Sequence, residues 1–334
     1  MSLPRISIII PVFNAAAYLQ QAVESVLTQS LADVEVVVVD DCSLDDSFAV
    51  ATQLAQRDSR VRVFQSAENR GPGHARNIGI ENAGGEWITM LDADDWYDSA
   101  RLETLLAAAE SKGVKIVADN QRFIVSAAGD WDTLLIEDSV VGVGCLSIED
   151  YLRGDSVNRT SRNLGLLKPF IQRALLTQHN IRYDDTKKLT LGEDFYFLLE
   201  CLKYERQMAF VGEPFYNYRI YDPAMLTKRQ TIDSYIDWKN MHARFAQLFD
   251  PQQDARVAAL IEARGQDIDR YIQFRKIVEP LKLWDFSEFF RQVKANPRSL
   301  ILLLSGVAID PGSIMLFLRY SVRNVRQRLS LYPR

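Results

Sequence analysis

Three carboxylates crowd into four residues at Asp92-Ala93-Asp94-Asp95, directly behind the apolar run 87–91. If that run is a parallel strand, the carboxylates stand together at its carboxyl end, and their repulsion calls for a positive partner. A hard divalent cation, Mg²⁺ or Mn²⁺, supplies one and shares its coordination shell with phosphate oxygens of a substrate. The simpler explanation is an acidic turn capping the next helix, because Asp favours N-cap positions. Asp40-Asp41 closes a second apolar run, 34–39, in the same manner. Carboxylates at that place can accept hydrogen bonds from base N–H groups or ribose hydroxyls. A capping turn through Ser43 is compatible with that role.

Asn69-Arg70-Gly71-Pro72-Gly73-His74-Ala75-Arg76-Asn77 reads as a glycine-bearing turn running into a helix. Backbone N–H groups at a helix start attract anions, and Arg76 adds a fixed positive charge. The run is neither a Walker loop nor a G-x-G-x-x-G fingerprint. His74 lies far in sequence from His179 and His242 and reads as a loop residue. Gly192-Glu193-Asp194 opens an amphipathic helix carrying Phe195, Leu198, Leu199 and Leu202. Donors and dipole at a helix start hold a carboxylate in its charged form, although plain capping explains the same residues. Tyr216-Asn217-Tyr218-Arg219 follows a short apolar run, with Lys228 and Arg229 beyond; these cations would either meet a diphosphate or lie on the surface.

These groups need a frame that gathers them. The first 120 residues alternate strand and helix patterns: strands at 6–12, 34–39, 61–64, 87–91 and 114–118, helices at 15–29, 75–82 and around Leu102, Leu105, Leu106 and Ala109. Ser43 with Asp46 predicts a capping box opening the helix that carries Phe48, Ala51 and Leu54. Repeated strand–helix units imply an α/β fold with a mostly parallel sheet and helices on both faces, its ligand site at the carboxyl ends of the strands. The middle of the chain is mixed: a polar excursion over 126–138, helices over 166–179 and 192–203, and a strand at 208–211. From about residue 230 the pattern is helical.

The composition is that of a soluble globular protein: 334 residues, 47% hydrophobic and 25% charged, with a net charge of −5. That length buries a sizeable core without disulfide or metal staples, and the acidic balance argues against nucleic acid as a partner. Cys42, Cys145 and Cys201 are odd in number and form no C-x-x-C pair, which fits a reducing, cytoplasmic location. The apolar run near the N-terminus is too short for a signal peptide and reads as a strand. Near the C-terminus, two apolar stretches, 300–309 and 314–318, are split by Asp310-Pro311-Gly312 and followed by Arg319, Arg323, Arg326, Arg328 and Arg334. Neither stretch can span a bilayer. Apolar surface beside arginines suits peripheral contact with an anionic membrane through 299–334, and a helical hairpin packed on the core with a solvated tail is the plainer reading.

Taken in order, the segments resemble glycosyltransferase family 2, whose catalytic domain has the GT-A fold. The matching runs are Ile8-Ile9-Ile10-Pro11-Val12-Phe13-Asn14, Ser25-Val26-Leu27-Thr28-Gln29, Val39-Asp40-Asp41-Cys42-Ser43-Leu44-Asp45, Asn69-Arg70-Gly71, Ala75-Arg76-Asn77, Leu91-Asp92-Ala93-Asp94-Asp95 and Gly192-Glu193-Asp194. The resemblance extends over about 4–228, and it is strongest to bacterial enzymes that build exopolysaccharide and other surface glycans. It implies a catalytic domain over 1–228, with a nucleotide-sugar half at 1–118 and an acceptor half at 119–228, leaving 229–334 as a helical extension.

The resemblance also implies roles. Pro11, Phe13 and Asp41 frame the nucleotide base with Asp40 beside them; Arg76 approaches the nucleotide; Asp92 faces the ribose or donor sugar. Asp94 binds Mn²⁺ or Mg²⁺ on the diphosphate, Asp194 is the catalytic base with Glu193 assisting, and Arg219 reaches the pyrophosphate. The implied reaction is an inverting transfer from a nucleotide diphosphate sugar, UDP-linked by preference, to a hydroxyl of a glycan or lipid-linked acceptor. The chain departs from the pattern at Cys42, where family members usually carry Gly, in Pro223-Ala224-Met225-Leu226, which lacks the usual serine although Thr227 can substitute, and in the missing aromatic before Lys168. The C-terminal helices would form a homodimer, touch membrane or present a lipid-linked acceptor. Two rival classes remain: a non-catalytic nucleotide-sugar-binding partner of a membrane glycan assembly, and a dehydrogenase. The second lacks its pyrophosphate turn, because Pro11-Val12-Phe13-Asn14 stands where glycines are needed.

Overall fold

The computed structural model describes residues 3–124, 133–135, 144–155, 164–186, 192–220, 231–282 and 286–295. The chain opens with β1 (Ile6–Val12), α1 (Ala16–Leu27), β2 (Val34–Asp40), α2 (Ser47–Arg57), β3 (Val61–Gln65), α3 (Pro72–Asn82) and β4 (Trp87–Met90). Every residue of β1 and β2 is buried, which is why both read as unbroken apolar runs rather than alternating ones. Next come β5 (Trp96–Tyr97), α4 (Arg101–Lys112), β6 (Ile116–Ile124), β7 (Thr133–Leu134), β8 (Cys145–Ser147) and α5 (Ile148–Gly154). A 3-10 turn at Leu164–Leu166 leads into β9 (Phe170–Gln172), α6 (Arg173–His179), α7 (Glu193–Glu205) and β10 (Gln207–Arg219). The last described elements are α8 (Ile232–Ala246), α9 (Ala255–Lys282) and α10 (Phe286–Ala295).

Along the main sheet the strands run β3-β2-β1-β4-β9-β6-β10-β5. The long pairings, β1 with β2 and β4, β2 with β3, and β6 with β10, are all parallel. The antiparallel ones, at β9, β5, β7 and β8, involve two or three residues each. Side-chain alternation along β1 feeds both faces: Ile6, Ile8, Ile10 and Val12 pack with residues of α1, α2 and α4. Ile9 faces the other way, with Val37 and Val39, into a larger core shared by α3, α5, α7, α8 and α9. The expected α/β class, mostly parallel sheet, helices on both faces and helical C-terminal elements are thus all present.

Local expectations fared less evenly. No capping box opens α2: it starts at Ser47, behind Asp46 with no side-chain cap. Ser43 instead accepts the Asn14 N–H, and Asp45 accepts that of Ser47, so the turn ties β1 to β2. The helix expected over 166–179 is confined to Arg173–His179, because Phe170–Gln172 slots between β4 and β6 as an antiparallel strand. Its apolar residues serve a sheet, where short-range periodicity cannot tell strand from helix. The strand expected at 208–211 runs on to Arg219, carried past Val211 and Pro214 by register shifts against β6. Most of 126–138, the segment 223–229 and all of 299–334 lie outside the described residues.

Candidate active site

Because β1, β2 and β4 are parallel neighbours, their carboxyl ends fall on one edge of the sheet, with Val12 registered opposite Asp40. Pro11 is buried in β1, while Phe13, just past its end, is partly exposed. Asn14 turns with a left-handed φ of 52°, its amide oxygen accepting the Leu44 N–H at 2.7 Å. Cys42 is left-handed too, at φ 59°, a conformation that suits the glycine usual at this place.

The two aspartates after β2 are not equivalent. Asp41 accepts the backbone N–H groups of Arg70 at 3.1 Å and Gly71 at 2.6 Å. Donors expected to face a ligand anion where the turn enters α3 are therefore met by a carboxylate of the chain itself. Asp40 uses Oδ2 for Ser43 N–H and Gln65, both at 3.2 Å, and its Oδ1 is buried without a partner.

The centre of the site is a knot of five charged side chains. Arg76 pairs with Glu193 and with Asp92 at 2.8 Å, and lies 3.6 Å from Asp194. Lys168 contacts Asp92 at 2.9 Å and Asp194 at 2.6 Å. Both cations are 95% or more hidden, at 5% and 3% exposure, and Arg76 also lies 5.1 Å from the Tyr183 ring centre. Three carboxylates against two cations leave a net negative charge. Burial alone would raise Asp92, but Lys168 and Arg76 override it and hold that carboxyl well below the usual range. Burial dominates at Glu193, which is pushed up to about 7 against the pull of Arg76. Asp194 has one oxygen fixed by Lys168, and its Oδ1 is buried with no hydrogen-bond partner. That atom is an acceptor in waiting.

The D-A-D-D turn divides its labour. Asp95 is structural: it accepts the Tyr216 hydroxyl at 2.6 Å and the Arg219 N–H at 2.8 Å, clasping β10. Arg219 donates through Nε to the Asp94 carbonyl at 2.6 Å and through Nη2 to Gln21 at 2.8 Å, lying over Tyr18 and Trp96. Arg219, which the family resemblance assigns to the pyrophosphate, also braces the turn. Asp94 has no ion pair among the described residues, and burial, then Asp92, push its carboxyl up to about 6. Among the described residues no group of three or more His, Cys, Asp or Glu could hold an ion. A single carboxylate completed by phosphate oxygens is a normal arrangement for Mg²⁺ or Mn²⁺, and a cation there would relieve the repulsion that Asp94 feels.

Sequence reading overlooked several contributors. Lys168 was noted only for its missing aromatic neighbour, yet it joins the proposed base to Asp92. Arg101, fully buried, bonds Asp119 at 2.8 Å and the Lys168 carbonyl at 2.7 Å, holding that lysine from beneath. His74 is in the first turn of α3, 3.1 Å from Asp185, rather than in a loop. Asn77 exchanges two hydrogen bonds with the backbone of Tyr183, both at 2.9 Å. Only the cluster of apolar and charged types around 164–168 and 181–185 hinted at these partnerships.

Residues 7–159 match the model of the family described as Glycosyl transferase family 2. The succinoglycan biosynthesis protein ExoO of Rhizobium meliloti (strain 1021) is 30% identical over 302 residues, covering 89% of this chain and 83% of that protein. Among solved structures, residues 1–349 of S. aureus TarS superpose with a TM-score of 0.64 at 18% identity, covering 99% of this chain and 93% of the other. TarS 1–349 in complex with UDP gives a TM-score of 0.61 at the same identity and coverage. The mannosyltransferase PcManGT from Pyrobaculum calidifontis, in complex with GDP-Man and Mn²⁺, gives 0.56 at 16% identity over 96% of this chain and 84% of that one. The architecture is the GT-A fold.

Proposed function

Since this chain belongs to glycosyltransferase family 2, we propose that it is an inverting, metal-dependent enzyme that moves a sugar from a UDP-sugar to a hydroxyl of a glycan or lipid-linked acceptor in polysaccharide assembly. The observation that carries the reading is the pairing of two differently prepared carboxylates at one sheet edge. Asp94 has no ion pair among the described residues, and Asp194 is held by Lys168 through one oxygen while its Oδ1 makes no hydrogen bond and lies 3.6 Å from Arg76.

In this reading Pro11, Phe13, Asp40 and Asp41 receive base and ribose, and Asp40 Oδ1 is the open acceptor among them. Asp92, fixed between Arg76 and Lys168, faces the ribose or donor sugar. Mn²⁺ or Mg²⁺, held by Asp94 and the diphosphate, would supply Lewis-acid stabilisation of the leaving group. Arg219 keeps the Asp94 backbone in place. Asp194 Oδ1 takes the proton of the acceptor hydroxyl as its oxygen bonds to the anomeric carbon, and the bond to the diphosphate breaks with its electrons staying on phosphate oxygen. One such displacement inverts the centre. Lys168 keeps the other Asp194 oxygen from competing for that proton, and Glu193 assists on the acceptor side. Support for polysaccharide assembly comes from the ExoO likeness, and for UDP from the TarS complex.

The test is a donor screen with UDP-, GDP- and dTDP-sugars, with and without Mn²⁺, reading nucleotide diphosphate release in the presence of a lipid-extract acceptor pool. Metal-dependent release from a UDP-sugar, lost in Asp94→Ala, supports the proposal. Release from a GDP-sugar instead corrects the donor. Silence for every donor, with no metal-dependent UDP binding, overturns it in favour of a non-catalytic role.

A further inference from the structure

We propose that Arg264, on α9 in the C-terminal helical region, is a positioning residue for the Lys168–Asp194 pair. This rests on the reading of Asp194 as the base. Arg264 is 5% exposed and bonds Asp155 twice, through Nη1 to the backbone carbonyl at 2.7 Å and through Nη2 to Oδ2 at 2.5 Å. Its guanidinium also lies 3.8 Å from the centre of the Phe195 ring.

Each contact leads one step from the pair. Phe195 is the residue after Asp194, and its carbonyl accepts the Tyr151 hydroxyl at 3.1 Å. Asp155 accepts the Gly165 N–H through Oδ1 at 3.1 Å, in the 3-10 turn that delivers Lys168. Gly165 is wedged between the two arms: a side-chain carbon there would stand 2.9 Å from Asp155 Oδ1 and 3.1 Å from Phe195 Cβ. One planar, two-pronged cation therefore braces both the turn before Lys168 and the first turn of α7. Lysine cannot reproduce that geometry, because it lacks the flat fork. A buried ion pair serving stability alone behaves differently: Arg264→Met then strands Asp155 and lowers Tm, while kcat of the folded protein stays at the wild-type value.

Three variants separate these roles: Arg264→Lys, Arg264→Met and, as control, Asp194→Asn. Each is measured for Tm, for UDP-sugar affinity with Mn²⁺, and for kcat and acceptor KM at a temperature where all are folded. Positioning predicts unchanged donor affinity and a kcat about 10- to 100-fold lower in Arg264→Met, the scale of a misplaced catalytic group. Arg264→Lys should fall between it and the wild type. If Arg264→Met does not fold, the Lys variant decides alone. Wild-type kcat in the folded Arg264 variants, beside an inactive Asp194→Asn, overturns the positioning role and leaves the base assignment standing. Full turnover in Asp194→Asn removes the base assignment, and this proposal with it.

Discussion

At the scale of single residues, the site is governed by how two cations are shared among three carboxylates. Lys168 bridges Asp92 and Asp194, and Arg76 bridges Asp92, Glu193 and Asp194, so Asp92 stays compensated if Asp194 loses its charge. Asp194→Asn should therefore fold and bind donor, yet lose turnover by about 100-fold or more, the scale of a lost general base. Steady-state kinetics beside UDP-sugar titration checks this, and intact turnover would show that another group takes the proton. Lys168→Met has the opposite character. It leaves Asp92 and Asp194 to share Arg76 with Glu193, and removing one partner of a buried pair costs up to about 3–5 kcal/mol. Urea melts should show that loss together with a fall in kcat, whereas an unchanged midpoint would mean that water already screens the pair.

At the scale of elements, close approach of helix to strand sets the edge on which these groups stand. Gly79 lies in α3 against β1, and a side-chain carbon there would fall 2.3 Å from Ile9 Cγ2. Alanine is worth about 1 kcal/mol over glycine inside a helix, but overpacking a tight contact costs about 1–3 kcal/mol. Gly79→Ala should accordingly destabilise the fold, and Ile9→Ala should cost less in the Gly79→Ala chain than in the wild type. A stabilised single variant would mean that α3 can shift without cost. The stakes reach the site, because α3 also carries Arg76, His74 and Asn77. Gly192 makes the same point at α7: its φ is +77°, and a side-chain carbon would lie 2.8 Å from Trp238 Nε1.

At the scale of the whole molecule, the C-terminal helices share one core with the catalytic elements: Trp238, Met241 and Ile261 join Phe195, Leu198 and Leu202. His242 sits in that seam, between the Tyr196 hydroxyl at 2.8 Å and the Ile261 carbonyl at 3.1 Å. Burial, then Arg264, push its pKa from 6.5 down to about 4. The folded state keeps this ring neutral while the unfolded chain protonates it, so its contribution is complete above pH 6.5 and is lost as pH falls towards 4. Between about pH 7 and about pH 5 the loss amounts to about 2 kcal/mol. His242→Gln should flatten that part of the stability–pH curve, and an unchanged slope would show that His242 does not titrate there. No helix among the described residues is long and apolar enough to cross a membrane. We propose peripheral contact through the arginine-rich, apolar sequence of 299–334. We expect cosedimentation with anionic vesicles that weakens with salt and disappears when 299–334 is deleted; binding unaffected by the deletion would assign the contact elsewhere.

The α/β class, the strands that form the site edge and the motifs at their ends were legible in the sequence, because buried parallel strands leave unbroken β-branched runs and chemistry gathers at their ends. The acidic groups at 40–41, 92–95 and 193–194 stand out by type and position, and the resemblance to family 2 is what singles out Asp40, Asp92, Asp94 and Asp194 among them. What each does with its oxygens could not be read there, since that depends on partners brought from other elements, such as Lys168 for Asp194, 26 residues away, and Arg76 for Asp92, 16 away. Phe170–Gln172 looked helical because only the neighbouring strands β4 and β6 make it a strand. The resemblance assigns Arg76 and Arg219 to the nucleotide and its pyrophosphate, but a sequence does not show which carboxylates and carbonyls they also hold. Tertiary structure decided that Arg76 is balanced by three carboxylates, that Arg219 braces the Asp94 carbonyl, and that Arg264 arrives from α9 to the residue beside Asp194. Burial is what forces those choices, because a charge taken out of water must find its counter-charge wherever the fold brings one.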